Sequence, residues 1–249
     1  MAVSSQHRQA LNLARSGQIS EAEVIYRQLL RTDPSDAEAH HFFGILAFKE
    51  GHAAKAEKLF QQALKSRPNW AKAWNSLGGT LHSLRRLEDA VRAISEAVRL
   101  EPESVEWRFN LGIALRAAGR LPEAAETLRA VTESAPNNAE AFVILGEVLI
   151  DNSHYAESEL ACRRAIEINP RFAEAYNNRG AAYIAMGKLD RGISDFQQAI
   201  KLSPKLAIAH INLAASHLDL SQTTESMQHL DDVLKLLLTE TELASTYFH

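Results

Sequence analysis

Residues 71–102 read AKAWNSLGGTLHSLRRLEDAVRAISEAVRLEP, and their spacing decides the fold. Trp74, Leu77, Gly78 and Leu81 recur as i, i+3, i+4 and i+7, the stripe of one amphipathic helix. Ala90, Ile94 and Ala97 repeat that periodicity after a short polar break, which predicts a second helix. Pro102 then ends it, because proline cannot continue a helix and biases its predecessor away from helical geometry.

Working outward, Pro102 is one of six prolines, Pro34, Pro68, Pro102, Pro136, Pro170 and Pro204, each 34 residues after the last. The seventh, Pro122, follows Leu121 at the first turn of an expected second helix, where its missing N–H costs nothing. A second column holds Gly44, Gly78, Gly112, Gly146 and Gly180, with Ala10 and Ala214 at the ends. Glycine inside a helix costs about 1 kcal/mol against alanine, so a column of them predicts close approach of a neighbouring helix. Gly17, Gly51, Gly119 and Gly187 mark the turn between the two helices of a unit. No segment alternates apolar and polar residues between hairpin turns, so strands are not expected.

Composition narrows the function. With 249 residues, 46% hydrophobic and 23% charged, the chain has the apolar content of an ordered protein. A formal net charge of -4 argues against nucleic acid as the main ligand. The first twenty residues lack the apolar core of a secretory signal, and no run is long enough to insert in a membrane. The chain therefore reads as cytoplasmic, and the lone Cys162 suits a reducing compartment.

A 34-residue helix–turn–helix unit with this Leu–Gly first helix, Ala–aromatic–Ala second helix and closing proline resembles the tetratricopeptide repeat. Seven units are expected in one solenoid over residues 1–249, at about 3–36, 37–70, 71–104, 105–138, 139–172, 173–206 and 207–240, with a C-terminal helical extension at 241–249. Gly192 stands where alanine is usual, Gln6 and Gln9 make the first unit a polar cap, and His210, Ser221 and Ser226 depart in the last. The resemblance implies an all-α right-handed superhelix whose first helices line a concave groove suited to a peptide or partner protein.

The family pattern assigns the groove. Arg8, Arg15, Lys49, Lys72 and Arg116 would line its N-terminal part, against Glu38 and Glu106. Glu140, Glu147, Asp151, Glu174 and Asp219 would line the remainder, with no cation among them. That polarity predicts a ligand acidic at one end, apolar in the middle and basic at the other. Phe42, Ile45, Phe48, Phe109 and Ile113 offer an apolar floor, and His41 and His82 join the groove set. Asn110, Asn178 and Asn212, with Ser76 equivalent and Asn75 and Asn177 beside them, resemble part of the asparagine ladder of O-GlcNAc transferase repeats, which would pair with a ligand backbone. Gly79 also faces the groove. No three successive units present the lysine, asparagine and arginine set that grips a C-terminal carboxylate in some relatives.

No phosphate loop, dinucleotide fingerprint, HExxH or nucleophile elbow occurs, so no enzyme activity and no cofactor are expected. His40 and His41 face different sides of a helix, and His210 and His217 lie two turns apart, so no metal site is expected either. Cys162 reads as a buried structural thiol. The apolar run Val233, Leu234, Leu236, Leu237 and Leu238, followed by Leu243, Tyr247 and Phe248, points to a homo-oligomer through this C-terminal helix or to a further domain. The reading is a protein-interaction scaffold or adaptor; the alternative is the substrate-recruiting part of a larger glycosyltransferase or sulfotransferase.

Overall fold

The computed structural model describes residues 5–219, 226–228 and 230–233, with the side chain of Asp219 excepted. Residues 5–219 hold thirteen α-helices, residues 226–228 and 230–233 are also helical, and no strand occurs among the described residues. The chain divides into two compact units, Met1–Thr127 and Leu128–His249.

The first unit holds α1 (Ser5–Arg15), α2 (Ile19–Thr32), α3 (Ala37–Lys49), α4 (Ala53–Ser66), α5 (Ala71–Ser83), α6 (Leu87–Leu100) and α7 (Val105–Ala117). The boundary falls within α8 (Leu121–Ser134). The second unit continues with α9 (Ala139–Asp151), α10 (Tyr155–Ile168), α11 (Ala173–Ala185), α12 (Leu189–Leu202) and α13 (Ala207–Asp219). Within each unit every helix packs on the next, and each first helix also touches the next first helix. From α3 onward the first helices start 34 residues apart, at the interval of the prolines.

The small-residue column has the expected cause. A Cβ added to Gly44 would stand 2.8 Å from the Phe60 ring, one on Gly146 2.5 Å from Cys162 Sγ, and one on Gly180 2.7 Å from the Phe196 ring. Each glycine faces a residue 16 positions later, on the second helix of its own repeat, and Gly78 faces Ile94 in the same way. Phe60, Ile94, Cys162 and Phe196 are thereby buried, and burial pushes the Cys162 thiol up to about 12, as suits an inert structural cysteine.

Six first helices end alike. Gly17, Gly51, Gly119 and Gly187 adopt positive φ, and so do Arg85 (φ 62) and Ser153 (φ 60) at the same place in their repeats. The amide of the following residue reaches back to the helix, as His52 N–H does to the Ala47 carbonyl at 2.8 Å and Arg86 N–H to Leu81 at 3.0 Å. This is the Schellman closure, which demands the left-handed conformation whatever residue occupies it.

At their other end α3, α5, α11 and α13 are each tied to the proline before them. Trp74 Nε1 donates to the Pro68 carbonyl at 2.8 Å, and Tyr176 Oη to Pro170 at 3.3 Å. His40 Nε2 donates to Pro34 at 3.0 Å and His210 Nε2 to Pro204 at 3.1 Å. The two histidines thus serve the turns. Asp36, Ser104 and Asn138 cap α3, α7 and α9 through backbone amides three residues on.

Candidate functional site

In the first unit, α5 and α7 bring together residues read from two different repeats. Asn75, Gly79 and His82 of α5 and Asn110, Ile113 and Ala114 of α7 line a cleft of about 200 Å³, which Ile94 reaches from α6. Asn110 Nδ2 donates to Asn75 Oδ1 at 3.0 Å across it. Phe42, Ile45 and Phe109 are partly exposed on α3 and α7, and Phe48 is 39% exposed. Arg8, Arg15, Lys49 and Lys72 are exposed on α1, α3 and α5 and make no ion pair among the described residues. Arg116 lies partly exposed on α7.

Several cations on the second helices or immediately before them are paired. Lys55 and Arg27 share Glu23, Arg86 bridges Glu57 and Asp89, and Arg120 bridges Glu88 and Glu123. The Arg86 and Arg120 guanidiniums accordingly hold the carboxyls of Asp89 and Glu123 below the usual carboxylate range.

His41 requires a correction. It has no exposed surface, so it does not line a groove. Its Nε2 lies 3.2 Å from Ser76 Oγ and its ring 4.5 Å from that of Trp70. Burial foremost, with Lys72 adding like charge, pushes its imidazole down to about 4.

The asparagine column differs from expectation for the same geometric reason. His41 meets Ser76, Asn110 meets Asn75, and Asn212 Nδ2 donates to Asn177 Oδ1 at 2.9 Å, each partner lying 35 positions away on a neighbouring first helix. Asn178, 6% exposed, donates to Glu147 Oε1 at 3.3 Å and accepts from Asn177. Part of the ladder's hydrogen-bonding capacity therefore joins helix to helix.

On the second unit's first helices, Glu140, Asp151 and Glu174 are exposed and Glu147 partly so. The side chain of Asp219 and the C-terminal run beyond Val233 lie outside the described residues. One pair had no place in the sequence reading. Arg179 of α11 holds Asp195 of α12 with two bonds, Nε–Oδ2 at 2.7 Å and Nη2–Oδ1 at 2.8 Å, where the neighbouring repeats bring apolar Leu145 and Ala161. The signal was available, since both break apolar columns 16 residues apart.

Among the described residues no group of three or more His, Cys, Asp and Glu is placed to hold a metal ion, and no helix is long and apolar enough to cross a membrane.

Family models described as tetratricopeptide repeat match residues 13–78, 82–139, 109–173 and 173–206. The chain belongs to the tetratricopeptide repeat family. Tetratricopeptide repeats are interaction scaffolds, and the coarse reading of this chain as one rests on that membership. No curated protein matches it. Among solved structures it is similar to YrrB, described as a TPR protein with an unusual peptide-binding site, at 20% identity over 74% of this chain and 95% of that one, with a TM-score of 0.63. It is also similar to pilF of Pseudomonas aeruginosa, at 21% identity over 82% of this chain and 93% of that one, TM-score 0.68. A tetratricopeptide repeat protein from Parabacteroides merdae shares 16% identity over 93% and 91% of the two chains, TM-score 0.76. At these identities the likeness establishes the fold.

Proposed function

We propose that the first-helix face of the first unit holds an extended segment of a partner protein, acidic toward α1 and α3 and apolar toward α5 and α7. One observation carries this reading: Asn75, His82, Asn110 and Ile113, assigned to a groove from their places in separate repeats, line a single cleft. Exposed cations without ion pairs stand beside partly exposed phenylalanines on the same set of helices, and such mixed patches favour binding over bare solvation. The second unit's first helices carry the opposite sign and suit a basic segment, since α9, α11 and α13 contain one cation, Arg179, already paired with Asp195. YrrB offers a precedent for peptide binding on this fold.

The test is selection of random dodecapeptides displayed on phage against the whole chain, followed by fluorescence anisotropy of the enriched sequences. Enrichment of Asp or Glu beside Leu, Ile or Phe is expected, with affinity falling at least tenfold in a Lys49→Glu, Lys72→Glu variant and with rising salt. Selected peptides that bind this variant as well as the parent would refute the reading.

A further inference from the structure

Gly79 is unlike the other helical glycines. A Cβ on Gly44, Gly146, Gly180 or Gly192 would strike a neighbour, whereas one on Gly79 would meet nothing within 4 Å. Its backbone needs no glycine either, for Gly79 is not among the residues with positive φ. It sits inside α5, where alanine would make the helix more stable. Neither packing nor conformation accounts for it. What the missing side chain does is open the cleft: the equivalent positions on α3 and α7 hold Ile45 and Ile113, so Gly79 is a gap between two isoleucines, with Ile94 within reach behind it.

From this we infer that the Gly79 gap is a subsite for one aliphatic side chain of an extended partner segment that carries a carboxylate about three residues away. The inference deepens the function proposed above and rests on it. The cleft's volume of about 200 Å³ suits one leucine-sized group, given that a cavity of roughly 150 Å³ accommodates benzene. Ile94, Ile113 and Ala114 supply apolar contact. The Asn75–Asn110 pair uses one donor and one acceptor on each other, and the amides retain Nδ2 hydrogens and Oδ1 lone pairs for the peptide groups flanking the inserted side chain. Lys72 lies on the same stripe of α5 as Asn75, Gly79 and His82, and is exposed. At 1.5 Å per helical residue it stands about 10 Å along the axis from Gly79, which an extended chain covers in about three residues.

The experiment titrates the whole chain, with isoleucine methyl groups labelled, with two blocked heptapeptides, Ser-Glu-Ser-Thr-Leu-Ser-Thr and its reverse. Chemical shifts of the Ile94 and Ile113 methyls are followed. Saturable shifts are expected with at least one of them, weakened tenfold or more when Leu is replaced by Ser, and lost in Gly79→Leu, whose side chain fills the gap. Gly79→Ala checks the fold independently, and its melting temperature should rise by about 2–4 °C. Absence of shifts with both peptides, equal shifts for the Ser control, or full binding by Gly79→Leu would overturn the subsite. Leu-dependent shifts that survive Lys72→Glu would retain the aliphatic subsite while refuting the acidic partner, so the two readings fail separately.

Discussion

Replacing Gly180 by alanine tests the packing that holds a repeat together. The added Cβ would stand 2.7 and 2.9 Å from two carbons of the Phe196 ring and 3.0 Å from the Gly192 carbonyl oxygen. A rigid aromatic ring and a backbone carbonyl cannot both give way, so overpacking of about 1–3 kcal/mol applies. Against it stands a gain of about 1 kcal/mol from replacing a helical glycine. The net expectation is destabilisation by up to about 2 kcal/mol. Phe196→Leu removes the ring edge, and the double variant should recover part of the loss through a coupling of about 0.5–3 kcal/mol. Urea unfolding by circular dichroism gives the overall change, and hydrogen exchange of α11 and α12 gives the local one, because repeats need not unfold together. Gly79→Ala is the internal contrast, with an expected gain of about 1 kcal/mol. A stabilising Gly180→Ala, or strict additivity with Phe196→Leu, would refute the packing account.

Other perturbations follow from the same geometry. Arg85→Gly and Ser153→Gly relieve a left-handed conformation that costs other residues about 1–2 kcal/mol, partly offset by unfolded-state entropy; each should raise stability by about 0.5–1 kcal/mol, and a lower melting temperature would contradict the Schellman assignment. Arg179→Leu leaves Asp195 buried without its partner and should cost about 3–5 kcal/mol in urea unfolding, whereas Arg179→Leu with Asp195→Ala should be close to neutral. His41, held near 4 against an ordinary 6.5, stays neutral in the fold while the unfolded chain takes up a proton. Its stabilising contribution is therefore complete above about pH 6.5 and declines as pH falls toward 4, by up to about 1.4 kcal/mol per pH unit. His41→Asn, matching Asn75 one repeat on, should flatten that part of the stability profile; an unchanged slope would show that His41 is not the group responsible.

The helix pairs were legible because prolines and glycines are governed by backbone sterics that no neighbour overrides. Pro68 and Pro102 ended helices wherever the chain went, and Gly78 announced a close approach before its partner Ile94 was known. Arg85 and Ser153 escaped notice because the turn imposes its conformation through hydrogen bonds, and a residue tolerating it at a cost leaves no mark in the sequence. The face of each first helix was legible only in outline. Periodicity places His41 and Ile45 one turn apart on the same side, yet His41 is buried against Ser76 and Trp70 while Ile45 stays partly open. The histidines at 40 and 210 had no assigned role in the sequence, and their bonds to Pro34 and Pro204 match those that Trp74 and Tyr176 make to Pro68 and Pro170.

The 16-residue offset also bears on how such a chain can change over generations. Gly44 with Phe60, Gly146 with Cys162, Gly180 with Phe196 and Arg179 with Asp195 each lie between two successive prolines. A duplication, deletion or exchange with its breakpoints at the prolines carries both halves of every such match together, so a transplanted repeat arrives with its interior already fitted. Links between repeats, such as Asn75 with Asn110 on first helices and Lys55 with Glu23 on second helices, fall across the breakpoints and must be rebuilt with the new neighbour. Repeat number is thus free to drift, while repeat order is constrained by the polar pairs that join one repeat to the next.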